Sequence, residues 1–332
     1  MVHDIIPFAK FSSLSSFHSL YAFKDLFPGT KVGHTGVLDS FADGLMVGLI
    51  GKATKLSAYF TDCNKTYLAH FIFGCETNTL DCIGTLTATS PLPHKDKVFA
   101  AIKNFVGEQE QVPPQYSGVQ VAGKRAYQFA HAGKNITLPA RRITVYAIEV
   151  LQCSYDGECV KSISLKIRCS KGTYIRALCR DIAHAAQACA FVAALRRTEL
   201  AGFQLSQCLW AERLPDFFEQ CSAVEKKFVA SGLPVVQTKA EAAKLSRSEY
   251  ERYAVNFSPE RAQAIGMPVL YLHEAYEKAF KLGQKIERTW FMQNDTLKNL
   301  SDARNPYAVF CHDEFLGLLR MNGNRIQYGF VF

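Results

Sequence analysis

Apolar residues recur along this chain at two spacings, and the switches between them mark its elements. Residues 160–169 alternate: Ile163, Leu165, Ile167 and Cys169 share one face, and Ser162, Ser164, Lys166 and Arg168 share the other. A period of two predicts a half-buried strand with a basic outer face. Residues 66–74 are rich in β-branched and aromatic side chains and apolar on both faces, which predicts a strand covered on both sides. Past residue 174 the spacing lengthens. Ile175, Leu178, Cys179, Ile182 and Ala186 fall on one side of a helix running to about residue 188. Shorter helices are expected over 17–27, ending near Pro28-Gly29, over 51–60, and over 98–106, stopped at Gly107. Residues 143–152 read as another strand.

Strands and helices mix here without a regular βαβ repeat, and no Gly-x-Gly-x-x-Gly loop is present. An α+β domain with a mixed, largely antiparallel sheet and flanking helices fits better than a dinucleotide-binding fold. Residues 210–265 are helix-prone and charged, punctuated by Pro215, Gly232, Pro234 and Pro259. Short apolar runs follow at 280–286, 307–310, 315–319 and 326–332, with an Asn322-Gly323 turn, and predict a small β-barrel-like module. The expected division is a domain over 1–225, a helical connector over 226–267, and the β module over 268–332.

Composition narrows the class. A chain of 332 residues with 48% hydrophobic content is long enough for one large domain and a smaller one. No run approaches the ~18 apolar residues of a membrane helix, and the first residues lack a secretion signal. Eleven cysteines without a Cys-x-x-Cys pair read as reduced thiols in a cytoplasm, with no metal site. The net charge is +8, and its distribution says more: residues 124–197 carry thirteen lysines and arginines against four acids. That bias is a phosphate-binding footprint or a solvated basic surface.

The stretch from Lys31 to Gly44, reading Lys-Val-Gly-His-Thr-Gly-Val-Leu-Asp-Ser-Phe-Ala-Asp-Gly, holds the candidate chemistry. Gly33 and Gly36 permit a sharp bend that aims His34 and Asp39 into one space, and the apolar run over 45–50 anchors that bend on a buried base. Taken alone, an aspartate beside glycines also serves as a turn or cap residue.

Seven ordered blocks carry a resemblance that decides between these readings. They are Gly33-His-Thr-Gly-Val-Leu-Asp39 with Gly44-Leu-Met46; Gly51-Lys-Ala-Thr-Lys55; Lys65-Thr-Tyr67; Thr77-Asn-Thr-Leu-Asp81 with Gly84; Pro113-Pro-Gln-Tyr-Ser117 with Gly123-Lys-Arg125; Cys169-Ser-Lys-Gly-Thr-Tyr-Ile-Arg176; and Leu195-Arg-Arg-Thr198 with Gly202-Phe203. Over about residues 30 to 205 the chain resembles the TruB family, the bacterial tRNA pseudouridine synthase B enzymes. Three positions depart from the family pattern. Ala9-Lys10-Phe11 stands for its Asp-Lys-Pro, Ser40 for the proline after the aspartate, and Tyr116-Ser-Gly-Val-Gln120 for a block that normally ends in lysine.

The resemblance implies the pseudouridine synthase catalytic fold, a PUA-like RNA-binding C-terminal module, and isomerisation of the T-arm uridine at position 55. That reaction breaks the bond from ribose to N1 of uracil and makes one to C5, with no cofactor. It needs a carboxylate as nucleophile or base, a cation to keep it charged, and an aromatic surface for the base. By resemblance these are Asp39, Arg176 and Tyr67. Tyr174 and Leu195 would border the base, and His34 would stack in the space left by a flipped uridine. Lys10, Lys55, Lys124, Arg125, Lys171, Arg196 and Arg197 would meet phosphates. The implied partner is the T stem-loop of tRNA, bound by a cytoplasmic monomer with no membrane contact. Bland readings stand beside these: Tyr67 and Leu195 as core, Arg176 in a surface pair, His34 as a structural hydrogen-bonding group. Other functions weighed are a tRNA-folding chaperone gripping the T arm, a synthase acting on other RNAs, and a glycosidase pairing Asp39 with Asp43.

Overall fold

The two segments with the clearest strand pattern lie side by side at the middle of the largest sheet. The computed structural model describes residues 4–231, 243–292, 306–322 and 325–332. Across the sheet the strands run Ile5–Lys10, Asp43–Ile50, Ala190–Leu200, Lys65–Phe73, Cys159–Cys169, Arg141–Asp156 and Gly107–Gln111; Val32–His34 and Phe203–Gln204 complete nine strands. Every pairing is antiparallel except one. Asp43–Ile50 runs parallel to Ala190–Leu200, setting Arg196 opposite Asp43 and Arg197 opposite Gly44. The sheet is therefore mixed and largely antiparallel, with helices on both faces.

One face packs against helix Ile175–Ala185, where Ile163, Leu165, Ile167 and Cys169 join Tyr67, Ala69, Phe71, Leu178 and Ile182 in a single core. The alternation over 160–169 holds for this inner set, and Lys166 and Arg168 are exposed on the other face. Ser162 and Ser164 depart from the expectation and are buried. Helix Phe217–Ser231 crosses that face: Glu225 meets His70 Nε2 at 3.0 Å, and His70 Nδ1 meets the Ser164 hydroxyl at 2.8 Å. Small hydroxyls let the helix approach while keeping every polar group partnered. The division expected at residue 225 falls inside this helix.

The short helices form near their expected places, as a 3₁₀ turn His18–Leu20 leading into Tyr21–Leu26, as Gly51–Leu56 leading into Ser57–Thr61, and as Lys95–Asn104. A second sheet of four strands ends the chain, ordered Val269–Tyr271, Tyr307–Cys311, Glu314–Asn322 and Arg325–Val331. Residues 280–286 contribute no strand to it, because Phe280 lies in helix Glu277–Lys281. The expected Asn322-Gly323 turn falls partly outside the described residues. The two sheets share a core: Leu45, Val47 and Leu49 of the first, with Phe60 of helix Ser57–Thr61, pack with Phe257, Phe310, Phe315 and Leu318. Among the described residues, no helix is long and apolar enough to cross a membrane.

Candidate active site

The loop between strands Val32–His34 and Asp43–Ile50 is pinned at nearly every residue. Thr35 N donates to Val47 O at 3.0 Å, and Gly36 turns the chain at φ +78°. Ser16 Oγ both accepts from Leu38 N at 2.9 Å and donates to Leu38 O at 3.1 Å. Ser13 N and Ser12 Oγ hold the carbonyls of Ser40 and Phe41. Gly44, with φ +102°, passes so close to the Arg197 backbone that a Cβ would collide with it. These contacts fix the direction of Asp39 before any substrate is present. Its side chain keeps 34% of its surface exposed, so a ligand can reach it.

Lys10 belongs to the same clamp. Its Nζ donates to the carbonyls of Ala42 at 2.6 Å, Phe11 at 3.0 Å and Ser40 at 3.3 Å, and the residue is fully buried. Burial lowers its pKa to about 7, against the pull of Asp43 and Asp39. The expected phosphate contact is thus corrected: Lys10 holds the loop carrying Asp39 from beneath. Arg196 is corrected likewise. It grips Asp43 with two hydrogen bonds of 2.7 and 2.8 Å and also donates to Pro215 O. Both partners are buried, which removes Asp43 as a second carboxylate for glycosidase chemistry. Arg197 is buried too.

Arg176, in the first turn of helix Ile175–Ala185, comes from the opposite side. Nε donates to Asp39 Oδ2 at 2.8 Å and Nη2 to Oδ1 at 2.6 Å. Nη1 donates to Thr79 O at 2.7 Å and Nη2 to Tyr116 O at 3.0 Å. Burial opposes the charge, yet Asp39 and then Asp81 outweigh it and hold the guanidinium above its ordinary pKa. A two-pronged pair fixes both distance and orientation, which a lysine does not do. Arg176 is therefore no surface i,i+4 partner.

Asp81 is the residue the sequence reading passed over. It lies 3.4 Å from Arg176 Nη1, is buried, and accepts from Thr79 Oγ1 at 2.5 Å. Burial lifts its carboxyl to about 6, against Arg176 and the Thr79 hydroxyl. Its signal was present, since it closes the Thr77–Asp81 block, but nothing local shows which cation it faces.

Tyr67 and Leu195 lie on the sheet face that packs against helix Ile175–Ala185, and both are nearly buried. Burial raises the Tyr67 phenol to about 12, with Arg197 pulling it down and Asp39 near enough to push it up. Tyr174 stands just before the Arg176 helix, its backbone clasped by the Gln111 amide at 2.9 and 3.2 Å. Its phenol is raised by burial and feels Ser117, Asp39 and Arg176. His34 is half-buried, and its Nδ1 has no hydrogen-bond partner. Burial, and then Arg197, lower its pKa, so the ring is neutral at pH 7. Asp39 and Arg176 are joined directly, Tyr67 and Tyr174 both feel the Asp39 charge, and His34 and Tyr67 both feel that of Arg197. Lys171 does not join them; it pairs with Asp62 at 2.6 Å on the exposed surface. Lys124 and Arg125 are also exposed, and Lys55 sits over the Phe330 ring. A separate cleft of about 380 Å³, lined by Tyr59, Lys65, Arg168, Glu199 and Phe203, contains none of this cluster.

Residues 24–175 match the sequence profile described as TruB family pseudouridylate synthase, N-terminal domain. A protein of Treponema denticola named tRNA pseudouridine synthase B is 37% identical, over 98% of this chain and 96% of its own length. A protein of the same name from Borreliella burgdorferi is 41% identical over 70% of this chain and 83% of its own. Among solved structures, a chain from a Cbf5-Nop10-Gar1 complex superposes with a TM-score of 0.64 at 18% identity, covering 99% of this chain and 84% of that one. A chain from an H/ACA RNP bound to a substrate RNA containing 2′-deoxyuridine gives 0.63 at 16%. These two likenesses speak for the fold.

Proposed function

The chain belongs to the TruB family of pseudouridylate synthases, isomerases that act on uridine in tRNA, and we propose that it converts the T-arm uridine at position 55 with Asp39 as its catalytic carboxylate. The observation that carries this reading is the two-pronged Asp39–Arg176 pair, one side buried and the other open beside Tyr67. The guanidinium sets a fixed opposite charge against both carboxylate oxygens.

A uridine within a folded loop must leave its stack to reach Asp39, at a cost of a few kcal/mol. His34, neutral and without a hydrogen bond at Nδ1, is suited to stack in the space the base vacates. Tyr67 then lies against the uracil, with Leu195 bordering the same pocket. Asp39 acts at the sugar, the ribose–N1 bond breaks, and the base turns within the enclosed site. C5 bonds to the sugar and gives up its proton, N1 takes one on in the product, and the Tyr67 hydroxyl would relay between them. Atoms and electrons balance within one nucleotide, so no outside oxidant or donor enters. The exposed Lys124, Arg125 and Lys171 would meet RNA phosphates, and the C-terminal four-stranded sheet would serve as the PUA-like tRNA contact.

The test is incubation with an unmodified T-arm hairpin and with full-length tRNA, followed by chemical mapping of pseudouridine. Conversion at position 55 of both is expected. Tight binding without conversion would replace the reading with a chaperone, and conversion elsewhere would change the target.

A further inference from the structure

Arg197 has the largest side chain among the fully buried ones, and no carboxylate lies within ion-pair distance of it among the described residues. Its Nε donates to Leu45 O at 2.7 Å, while Nη2 is buried and has no hydrogen-bond partner. A buried guanidinium without a counter-charge is a costly arrangement, and a chain free to place an apolar residue there gains nothing structural from it. Its surroundings indicate what it does. Arg197 stands directly opposite Tyr67 on the neighbouring antiparallel strand, so both side chains project from the same face. The guanidinium and the phenol interact there, each shifting the other's protonation.

We infer that Arg197 is a positioning residue for Tyr67: it donates to the phenol oxygen and thereby turns the phenol proton outward, toward the Asp39 opening. This rests on the assignment of Asp39 and Tyr67 to the reacting uridine. The chemistry is directional. A guanidinium has five N–H donors and no acceptor, so against it the tyrosine oxygen can only accept. The hydroxyl hydrogen must then point away from Arg197. Nε anchored on Leu45 O fixes the plane of the fork, and the cross-strand register sets that fork beside the phenol. Lysine has one nitrogen and no planar fork, so it cannot hold the strand carbonyl with one arm while a second arm, at a fixed angle, faces the phenol.

The test uses the full chain and two readouts. Arg197→Lys keeps the buried charge and one anchor, and should fold with a melting temperature near that of the parent. In single-turnover reactions on tRNA it should lose about tenfold or more in rate, with affinity changed less than about threefold. That loss should vanish when both proteins carry Tyr67→Phe, since a residue acting through the phenol has nothing left to act on. Independently of turnover, the ζ-carbon resonance of ¹³C-labelled Tyr67, identified by its absence in Tyr67→Phe, should move in Arg197→Lys. An equal rate loss in both backgrounds, or an unmoved Tyr67 resonance, would overturn the inference. Should Tyr67→Phe turn over too slowly to measure, the resonance decides. Failure of the parent to modify tRNA would strike the assigned function and leave the spectroscopic result standing.

Discussion

The Asp39 carboxylate and the Arg176 guanidinium meet edge to edge through hydrogen bonds of 2.6 and 2.8 Å, across 137 residues of sequence. The arginine side chain is 5% exposed and the aspartate 34%, so one partner belongs to the core and the other to the opening. Arg176 also ties down the carbonyls of Thr79 and Tyr116. These tethers make its loss matter for folding as well as for catalysis. Arg176→Met should abolish turnover and also cost about 3–5 kcal/mol of stability, because Asp81 is left buried without its cation. Urea unfolding measures the second effect, and an unchanged midpoint would contradict it.

Asp39→Asn keeps the shape and still accepts one hydrogen bond from Arg176. It should fold normally and bind tRNA within about threefold of the parent while forming no pseudouridine, since an amide is neither a nucleophile nor a base here. Product mapping after long incubation checks this. Full turnover would remove Asp39 from the chemistry.

Asp81 gives the protein a stability that depends on pH. Its carboxyl lies at about 6 when folded, above its ordinary 3.8, so the folded state holds this proton more tightly than the unfolded chain does. Its contribution is complete below about pH 4 and declines as pH rises through 6, by about 3 kcal/mol in all. Asp81→Asn should flatten that decline. Urea midpoints at pH 4.5 and 7.5 for both proteins test it, and parallel changes in the two would rule it out.

Lys10→Met should leave three carbonyls of the Asp39 loop without their donor, at about 2–3 kcal/mol and with a slower reaction. Its signature lies in salt dependence. A buried lysine releases no counterion, so the slope of log affinity against log salt should stay as in the parent, whereas Lys124→Ala should reduce it by about one phosphate. A shallower slope for Lys10→Met would restore the phosphate contact.

His34→Ala should weaken tRNA binding by about ten- to a hundredfold, the worth of one base stack, with little change in melting temperature. Because burial lowers the imidazole pKa, the parent's affinity should not change between pH 7.5 and 8.5 through this residue. Unchanged affinity in the variant would return His34 to a purely structural role.

What the chain's own order determined is whatever depends on neighbours in sequence. The alternation at 160–169, the apolar run at 66–74 and the helical spacing after 174 each placed an element, because side-chain direction follows from local backbone period. The glycine turn around His34 and Asp39 was legible for the same reason, as was the Leu195-Arg196-Arg197 block. Burial and partnership depend on segments far apart, and only the folded chain decided those. Lys10, Arg196 and Arg197 looked like phosphate ligands because a sequence reports charge and not depth. The structure made one a loop clamp, one the mate of Asp43, and one the neighbour of Tyr67. Asp81 stood in plain view within its block, yet its meaning came only when helix Ile175–Ala185 brought Arg176 to within 3.4 Å. An ionisable group acquires its role from the dielectric and the charges around it, and those are set by packing between distant parts of the chain.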